Sequence, residues 1–125
     1  MIRAIVIDDD LDTVEVFSEY LEMKSVQVVG KGYNGDEAVK LYQKWKPDVV
    51  FLDVMMPQYD GFYALEHIRR INSDVIIIMV TADLTIETEN KLRALDASAI
   101  IYKPFDMEHV MKTVGNFVLK ERPLC

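Results

Sequence analysis

The sequence is poor in cysteine, histidine and basic residues. Its 125 residues include one cysteine, Cys125, and two histidines, so an intramolecular disulfide is impossible and a zinc site built from several Cys and His ligands is not supported. Lys and Arg number 14 against 21 Asp and Glu, which gives a formal net charge of −7. A chain this acidic lacks the basic surface that nucleic-acid phosphates require. We therefore predict no direct binding of nucleic acid and, from the scarcity of cysteine, a reducing cytoplasmic location.

Long apolar runs and a glycine-rich phosphate loop are also absent from the sequence. The N-terminal run, Ile2 to Ile7, is too short for a signal-peptide core or a membrane span, so we predict no membrane association. Without a Walker-type loop, a bound nucleotide is not indicated. Half of the residues are nevertheless hydrophobic, which excludes disorder and suits one compact core. We predict a single domain over residues 1–121, a short tail at 122–125 and no output domain in this chain.

Short runs rich in Val and Ile alternate with segments of helical spacing. The runs are Ile2 to Ile7, Val26 to Val29, Val49 to Leu52, Val75 to Val80 and Ala99 to Tyr102. Nearly continuous runs of this kind are typical of strands buried on both faces of a parallel sheet. Between them, apolar residues recur every three or four positions, which favours helices. We predict an α/β fold of five βα units: a doubly wound five-stranded parallel sheet of strand order 2-1-3-4-5.

Glycines and acidic residues mark several of the predicted boundaries. We assign Gly30, Gly32 and Gly35 to the link between the second strand and the second helix, because glycine punctuates loops. Asp10 and Asp12 are interpreted as capping acids of the first helix.

Polar side chains follow four of the five predicted strands. Asp8 and Asp9 follow the first strand and Asp53 the third, while Thr81 and Lys103 follow the fourth and fifth. These strands are neighbours in the predicted order, so their carboxyl ends converge on one crevice. Two like charges about 4 Å apart repel by roughly 4 kcal/mol at an effective dielectric near 20. Three carboxylates beside one lysine therefore leave a charge surplus that suits Mg²⁺, which binds oxygen ligands and phosphate.

These groups together favour phosphoryl transfer. An in-line transfer needs a nucleophile and positive charge on the phosphoryl oxygens, and a carboxylate can itself be the nucleophile and form an aspartyl phosphate.

The motifs resemble the receiver domain of two-component response regulators, of the single-domain chemotaxis-regulator type. They are Asp8-Asp9, Leu52-Asp53-Val54-Met55-Met56-Pro57 with Gly61 following, Thr81-Ala82, and Lys103-Pro104-Phe105. The resemblance covers essentially the whole chain and implies a flavodoxin-like fold. It also implies a signalling switch rather than an enzyme, whose only chemistry is its own phosphorylation and dephosphorylation.

The resemblance implies a phosphoacceptor and a metal site. Asp53 is the implied phosphoacceptor, and a sensor histidine kinase or a phosphotransfer protein would supply the phosphoryl group. Asp9 and Asp53 are the implied direct Mg²⁺ ligands together with the backbone carbonyl of Met55, while Asp8 acts mainly through water.

The resemblance also implies the groups that respond to phosphorylation. Lys103 would pair with the phosphoryl group, Thr81 would shift to bond it, and Pro104 would follow a cis peptide bond. The implied output face spans the fourth helix, fifth strand and fifth helix, roughly Thr85 to Leu119, and contacts a downstream protein effector. The implied assembly is a monomer or a phosphorylation-dependent dimer.

One position departs from the family pattern. Three residues before Lys103 the family usually has an aromatic side chain whose rotation couples to the threonine, and here that residue is Ile100. Tyr102 lies on the same face of the strand, because side chains alternate with a period of two. We hypothesise that Tyr102, or repacking of a loop, replaces the usual aromatic switch.

Two alternatives and one further residue remain open. The chain could be a receiver that binds partners without phosphorylation. The segment Asp10-Leu11-Asp12-Thr13-Val14 matches the nucleophile motif of haloacid-dehalogenase-type phosphatases, although Asp10 then falls beyond the strand end. Asp83, two residues after Thr81, is considered for an effect on water near the phosphoryl group.

Overall fold

The computed structural model describes residues 1–121, with side chains described to residue 118, so the predicted tail at 122–125 with Cys125 lies outside the described residues. Strands and helices alternate along the chain. They are β1 (Ile2–Ile7), α1 (Leu11–Met23), β2 (Val26–Gly32), α2 (Gly35–Trp45), β3 (Val49–Asp53), α3 (Gly61–Ile71), β4 (Ile76–Thr81), α4 (Ile86–Ala94), β5 (Ala99–Tyr102) and α5 (Met107–Glu121).

The five strands form one parallel sheet in the order β2-β1-β3-β4-β5, which confirms the predicted fold. Every residue of β3 and β4 is buried, because helices cover both faces of the sheet. This explains why the strand runs are continuously apolar rather than alternating.

Two hydrophobic clusters fill the space on either side of the sheet. One packs α2, α3 and α4 against the sheet and includes Tyr42, Leu65 and Leu92. The other packs α1 and α5 on the opposite face, with Phe17 and Val114 among its buried members. The sheet is thereby packed on both faces, and the loops at its carboxyl edge begin at the ends of these packed strands.

The second strand is longer than predicted, so the assignment of Gly30 and Gly32 to the following link is wrong. Both glycines lie in β2, and Gly35 begins α2. A Cβ atom on Gly30 would lie 3.0 Å from a methyl carbon of Leu41, and one on Gly32 would lie 2.8 Å from Ile7. A side chain at either position would press on Leu41 of α2 or Ile7 of β1, so these glycines favour close packing around the strand and do not form a turn.

A tight turn after β3 depends on Gly61. A Cβ atom there would overlap the carbonyl oxygen of Asp53 and lie 2.7 Å from the Cα atom of Val54. The Gly61 amide donates to the Val54 carbonyl at 2.9 Å, and the carboxylate of Asp60 caps α3 by accepting from the Tyr63 amide at 3.0 Å. The turn thus places the start of α3 directly against the end of β3.

Among residues 1–121, no helix combines the length and the hydropathy that crossing a membrane would require.

Candidate functional site

The strand ends bring the predicted site residues to one edge of the sheet. Asp8 directly follows β1, Asp53 ends β3, Thr81 ends β4 and Lys103 directly follows β5. Asp8, Asp53 and Thr81 are all buried. In the strand register Asp53 pairs with Val80, so Thr81 lies one position beyond the neighbour of Asp53. Residues far apart in sequence therefore share one crevice.

Three carboxylates cluster in this crevice beside one lysine. The side chains of Asp8, Asp9 and Asp53 each offer an oxygen, and these oxygens lie within 4.8 Å of one another. The Nζ atom of Lys103 lies 3.1 Å from Asp8 Oδ2 and 3.7 Å from Asp53 Oδ1. The Val54 amide donates to Asp53 Oδ1 at 2.9 Å. The structure thus brings together the four charged groups that the sequence analysis assigned to one site.

The environment of Asp53 opposes its ionisation. Burial, the Asp8 carboxylate and, less strongly, Asp9 raise the pKa of Asp53 to about 6, although Lys103 and the Val54 amide favour the charged form. Burial and the contact with Asp8 also raise the pKa of Asp9. Acids that resist ionisation in this way would be relieved by a bound cation.

Lys103 is a cation held between two acids. Burial opposes its charge, but the carboxylates of Asp53 and Asp8 outweigh that effect and raise its pKa above the ordinary value. The side chain therefore carries a full positive charge at neutral pH, at a distance from which it can reach a group attached to Asp53.

The donor set of the cluster suits Mg²⁺. Asp8, Asp9 and Asp53 offer hard carboxylate oxygens, which magnesium prefers over nitrogen and sulfur. Met55 lies two residues beyond Asp53 in the loop after β3, with its side chain exposed. Its assignment as a ligand concerns the backbone carbonyl alone and stays a prediction.

The hydroxyl of Thr81 takes part in a hydrogen-bond network that leads away from the acids. Thr81 Oγ1 accepts from the Asp83 amide at 3.0 Å. The carboxylate of Asp83 accepts from the Thr85 amide at 2.9 Å and from the Thr88 hydroxyl at 2.6 Å. The sequence-based interpretation of Asp83 concerned only water near the phosphoryl group, and this network was not predicted. The available signal was an acid followed by threonines two and five residues later, a pattern that favours capping of a helix.

Ile100 and Tyr102 both lie beside the fourth strand. Ile100 pairs with Met79 and packs against the cluster beneath α2, α3 and α4. Tyr102 is half-buried and pairs directly with Thr81. The Lys103–Pro104 peptide bond is cis, as the resemblance implied. The structure therefore places the tyrosine, rather than the isoleucine, next to the predicted responsive hydroxyl.

Asp10 lies at the N-terminus of α1, which confirms its interpretation as a capping acid. Its carboxylate accepts from the Thr13 hydroxyl at 2.7 Å and from the Asp12 amide at 3.2 Å. These hydrogen bonds, first that of Thr13, lower the pKa of Asp10. Asp12 lies in the first turn of the same helix. A carboxylate occupied in this way is poorly placed to be the nucleophile of a phosphatase.

Comparison with known proteins agrees with this site. The family of response regulator receiver domains matches residues 4–115, which is most of the chain. The protein therefore belongs to the response regulator receiver family and has the flavodoxin-like fold of its chemotaxis members.

Two curated relatives and one solved structure illustrate the similarity. The chain is 31% identical over 115 residues to the chemotaxis protein CheY of Bacillus subtilis, covering 90% of this chain and 94% of that protein. It is 33% identical over 116 residues to the probable C4-dicarboxylate response regulator DctR of the same organism, covering 92% of this chain and 51% of that protein. This chain thus spans about half the length of DctR. CheY of Borrelia burgdorferi, solved in complex with CheX, BeF3 and magnesium, matches in fold with a TM-score of 0.88, 24% identity and coverage of 94% and 89% of the two chains.

Proposed function

We propose that this protein accepts a phosphoryl group on Asp53, from a sensor histidine kinase or a phosphotransfer protein, with Mg²⁺ bound beside it. The observation that carries the proposal is the position of the buried Asp53 carboxylate, 3.7 Å from Lys103 Nζ and clustered with Asp8 and Asp9. In this proposal Asp9, Asp53 and the carbonyl of Met55 hold the metal directly, and Asp8 acts mainly through water.

The residues of the crevice divide the work of phosphoryl transfer. A carboxylate oxygen of Asp53 attacks the phosphorus of a phosphohistidine, an O–P bond forms, and the P–N bond breaks with its electron pair leaving on the imidazole. Lys103 stabilises the negative charge of the phosphoryl oxygens, and Thr81 donates its hydroxyl proton to one of them. When bound, Mg²⁺ supplies further positive charge at those oxygens. Water later attacks the phosphorus, the bond between phosphorus and the Asp53 oxygen breaks, and inorganic phosphate leaves as the carboxylate is restored.

The comparisons support a metal-assisted switch of this kind. The Borrelia protein of the same fold is described with BeF3 and magnesium together, and family membership makes a two-component role the natural one for the acidic crevice here. We further propose that residues 1–121 act as one receiver domain in the cytoplasm and that phosphorylation changes the surface of α4, β5 and α5. That surface would contact a downstream protein effector. The protein would act as a monomer or as a phosphorylation-dependent dimer.

Intact-mass measurement after incubation with acetyl phosphate and MgCl₂ tests the proposal. We expect one phosphoryl adduct on the wild type, no adduct when EDTA replaces MgCl₂, and none on Asp53→Asn. Asp10→Ala is the matched control, because it removes a nearby carboxylate that caps α1, and it should still form the adduct.

Two other results would contradict the proposal. No adduct with acetyl phosphate or with a phosphorylated histidine kinase would favour a binding module that works without phosphorylation. Turnover of a phosphate ester that survives Asp53→Ala and is lost in Asp10→Ala would favour the phosphatase alternative.

A further inference from the structure

A chain of hydrogen bonds runs from Thr81 to the first turn of α4 through Asp83. The Asp83 amide donates to the Thr81 hydroxyl oxygen at 3.0 Å. Its two carboxylate oxygens are used separately, Oδ1 by the Thr85 amide at 2.9 Å and Oδ2 by the Thr88 hydroxyl at 2.6 Å. These bonds, first that of Thr88, lower the pKa of Asp83, so its carboxylate is charged at neutral pH and its hydrogen bonds to Thr85, the N-cap residue of α4, and to Thr88 are strengthened. One residue thus orients Thr81 and also holds the start of the helix.

The two ends of this chain differ sharply in exposure. Thr81 is fully buried at the end of β4, and its oxygen already accepts a hydrogen bond, which leaves the hydroxyl proton to be donated. At the other end, Leu84 and Ile86 form an apolar pair on the surface, with exposed fractions of 72% and 71%. The buried hydroxyl of Thr81 is therefore connected to the segment that carries Leu84 and Ile86 by very few hydrogen bonds.

We propose that Asp83 is a positioning residue that couples Thr81 to the first turn of α4. The inference rests on the proposed function, because the coupling is driven by a phosphoryl group on Asp53. The phosphoryl oxygens draw the Thr81 hydroxyl toward the acids, so the Asp83 amide loses its acceptor. The carboxylate then leaves Thr88, and the apolar pair is presented differently to a partner.

This route assigns the switch to loop repacking and does not require rotation of an aromatic side chain. The position of the usual aromatic is occupied by Ile100, which is half-buried and packs against the core cluster beneath α2, α3 and α4. The structure shows this loop in its hydrogen-bonded arrangement, and the proposal adds a released arrangement that a charge change at one site would favour.

Beryllofluoride affinity of a Thr88→Val variant tests the coupling. The variant removes the hydroxyl that Asp83 holds and keeps the shape of the side chain. If that hydrogen bond exists only in the unmodified state, its loss favours the activated state, and the protein should bind beryllofluoride with Mg²⁺ about fivefold more tightly. Amide exchange of residues 84–88 in the unliganded variant should also approach the rate that the wild type shows with beryllofluoride.

Two variants separate this role from a general effect on stability. Thr88→Ser restores the hydroxyl and should restore wild-type affinity. Tyr42→Phe removes a hydroxyl in α2 that accepts from the Asn72 side chain at 2.9 Å, outside α4, β5 and α5, and should leave the affinity unchanged.

The outcomes distinguish the inference from the function on which it rests. A phosphoryl adduct on the wild type, with equal beryllofluoride affinity in Thr88→Val and wild type, would overturn the coupling alone. The absence of any adduct on the wild type would overturn both.

Discussion

The two halves of the crevice are built on different physical principles. At the ends of β1 and β3, three carboxylates lie close together, two of them buried, and the opposing cation comes from beyond β5. The other half, at the end of β4, contains the neutral hydroxyl of Thr81 and its strand neighbour Tyr102, and Thr81 is oriented by a local hydrogen bond. The charged half stores electrostatic repulsion that a cation and a phosphoryl group can exploit. In our proposal, the neutral half responds to the phosphoryl group through a movement of the loop between β4 and α4.

We expect the largest effect from a change that displaces the backbone around Asp53 in the charged half. Gly61→Ala would force a Cβ atom onto the carbonyl of Asp53, so we expect a loss of about 3 kcal/mol in the free energy of unfolding, together with impaired phosphorylation. Gly115→Ala is the matched control, because a Cβ there meets nothing within 4 Å. It lies in the helix α5 and should stabilise the protein by about 0.5–1 kcal/mol. Urea unfolding measures both, and equal effects of the two variants would contradict the assignment.

The charged half should also make the metal-free protein less stable as pH rises. The pKa of Asp53 is raised from 3.8 to about 6 in the folded protein, so between these values the folded state binds more protons than the unfolded state. The free energy of unfolding should therefore fall as pH increases from about 4 to about 6, by an amount on the order of 3 kcal/mol.

The control for this pH dependence removes the titrating group. Asp53→Asn should lose most of the decrease, and MgCl₂ should offset it in the wild type by binding the ionised acids. Chemical unfolding in EDTA at a series of pH values provides the measurement. Identical profiles for the wild type and Asp53→Asn over this window would be inconsistent with the buried, repelled carboxylate.

The neutral half should show the smallest effects on chemistry. Tyr102→Leu alters the neighbour of Thr81 but removes no charge, so we expect the initial rate of phosphorylation by acetyl phosphate to stay within about twofold of wild type. If Asp83 carries the coupling, beryllofluoride should still increase amide exchange in residues 84–88 of this variant. If Tyr102→Leu loses that response while phosphorylation is intact, Tyr102 and not Asp83 would carry the coupling. A structure of the activated protein in which Tyr102 keeps its rotamer would remove the tyrosine option.

Much of the fold could be predicted from the sequence, because burial on both faces leaves a continuous apolar strand that can be read directly. The acids and polar groups at the strand ends were likewise visible, as was Asp10 at the start of α1. Gly30 and Gly32 were wrongly assigned to a link between elements. The contacts that favour glycine there are with Leu41 and Ile7, which lie on neighbouring elements. A pattern of single residues carries no information about such contacts.

The sequence by itself determined the order of strands and helices and which residue types end each strand, since both follow from local apolar periodicity and turn chemistry. Only the tertiary structure decided that Lys103 lies 3.1 Å from Asp8, across 95 positions of sequence, and that Asp53 shares their space. The raised pKa of Asp53 comes from burial and from those neighbours together. The link from Thr81 through Asp83 to α4 also required the folded loop, because a hydrogen bond exists only when donor and acceptor are held within reach.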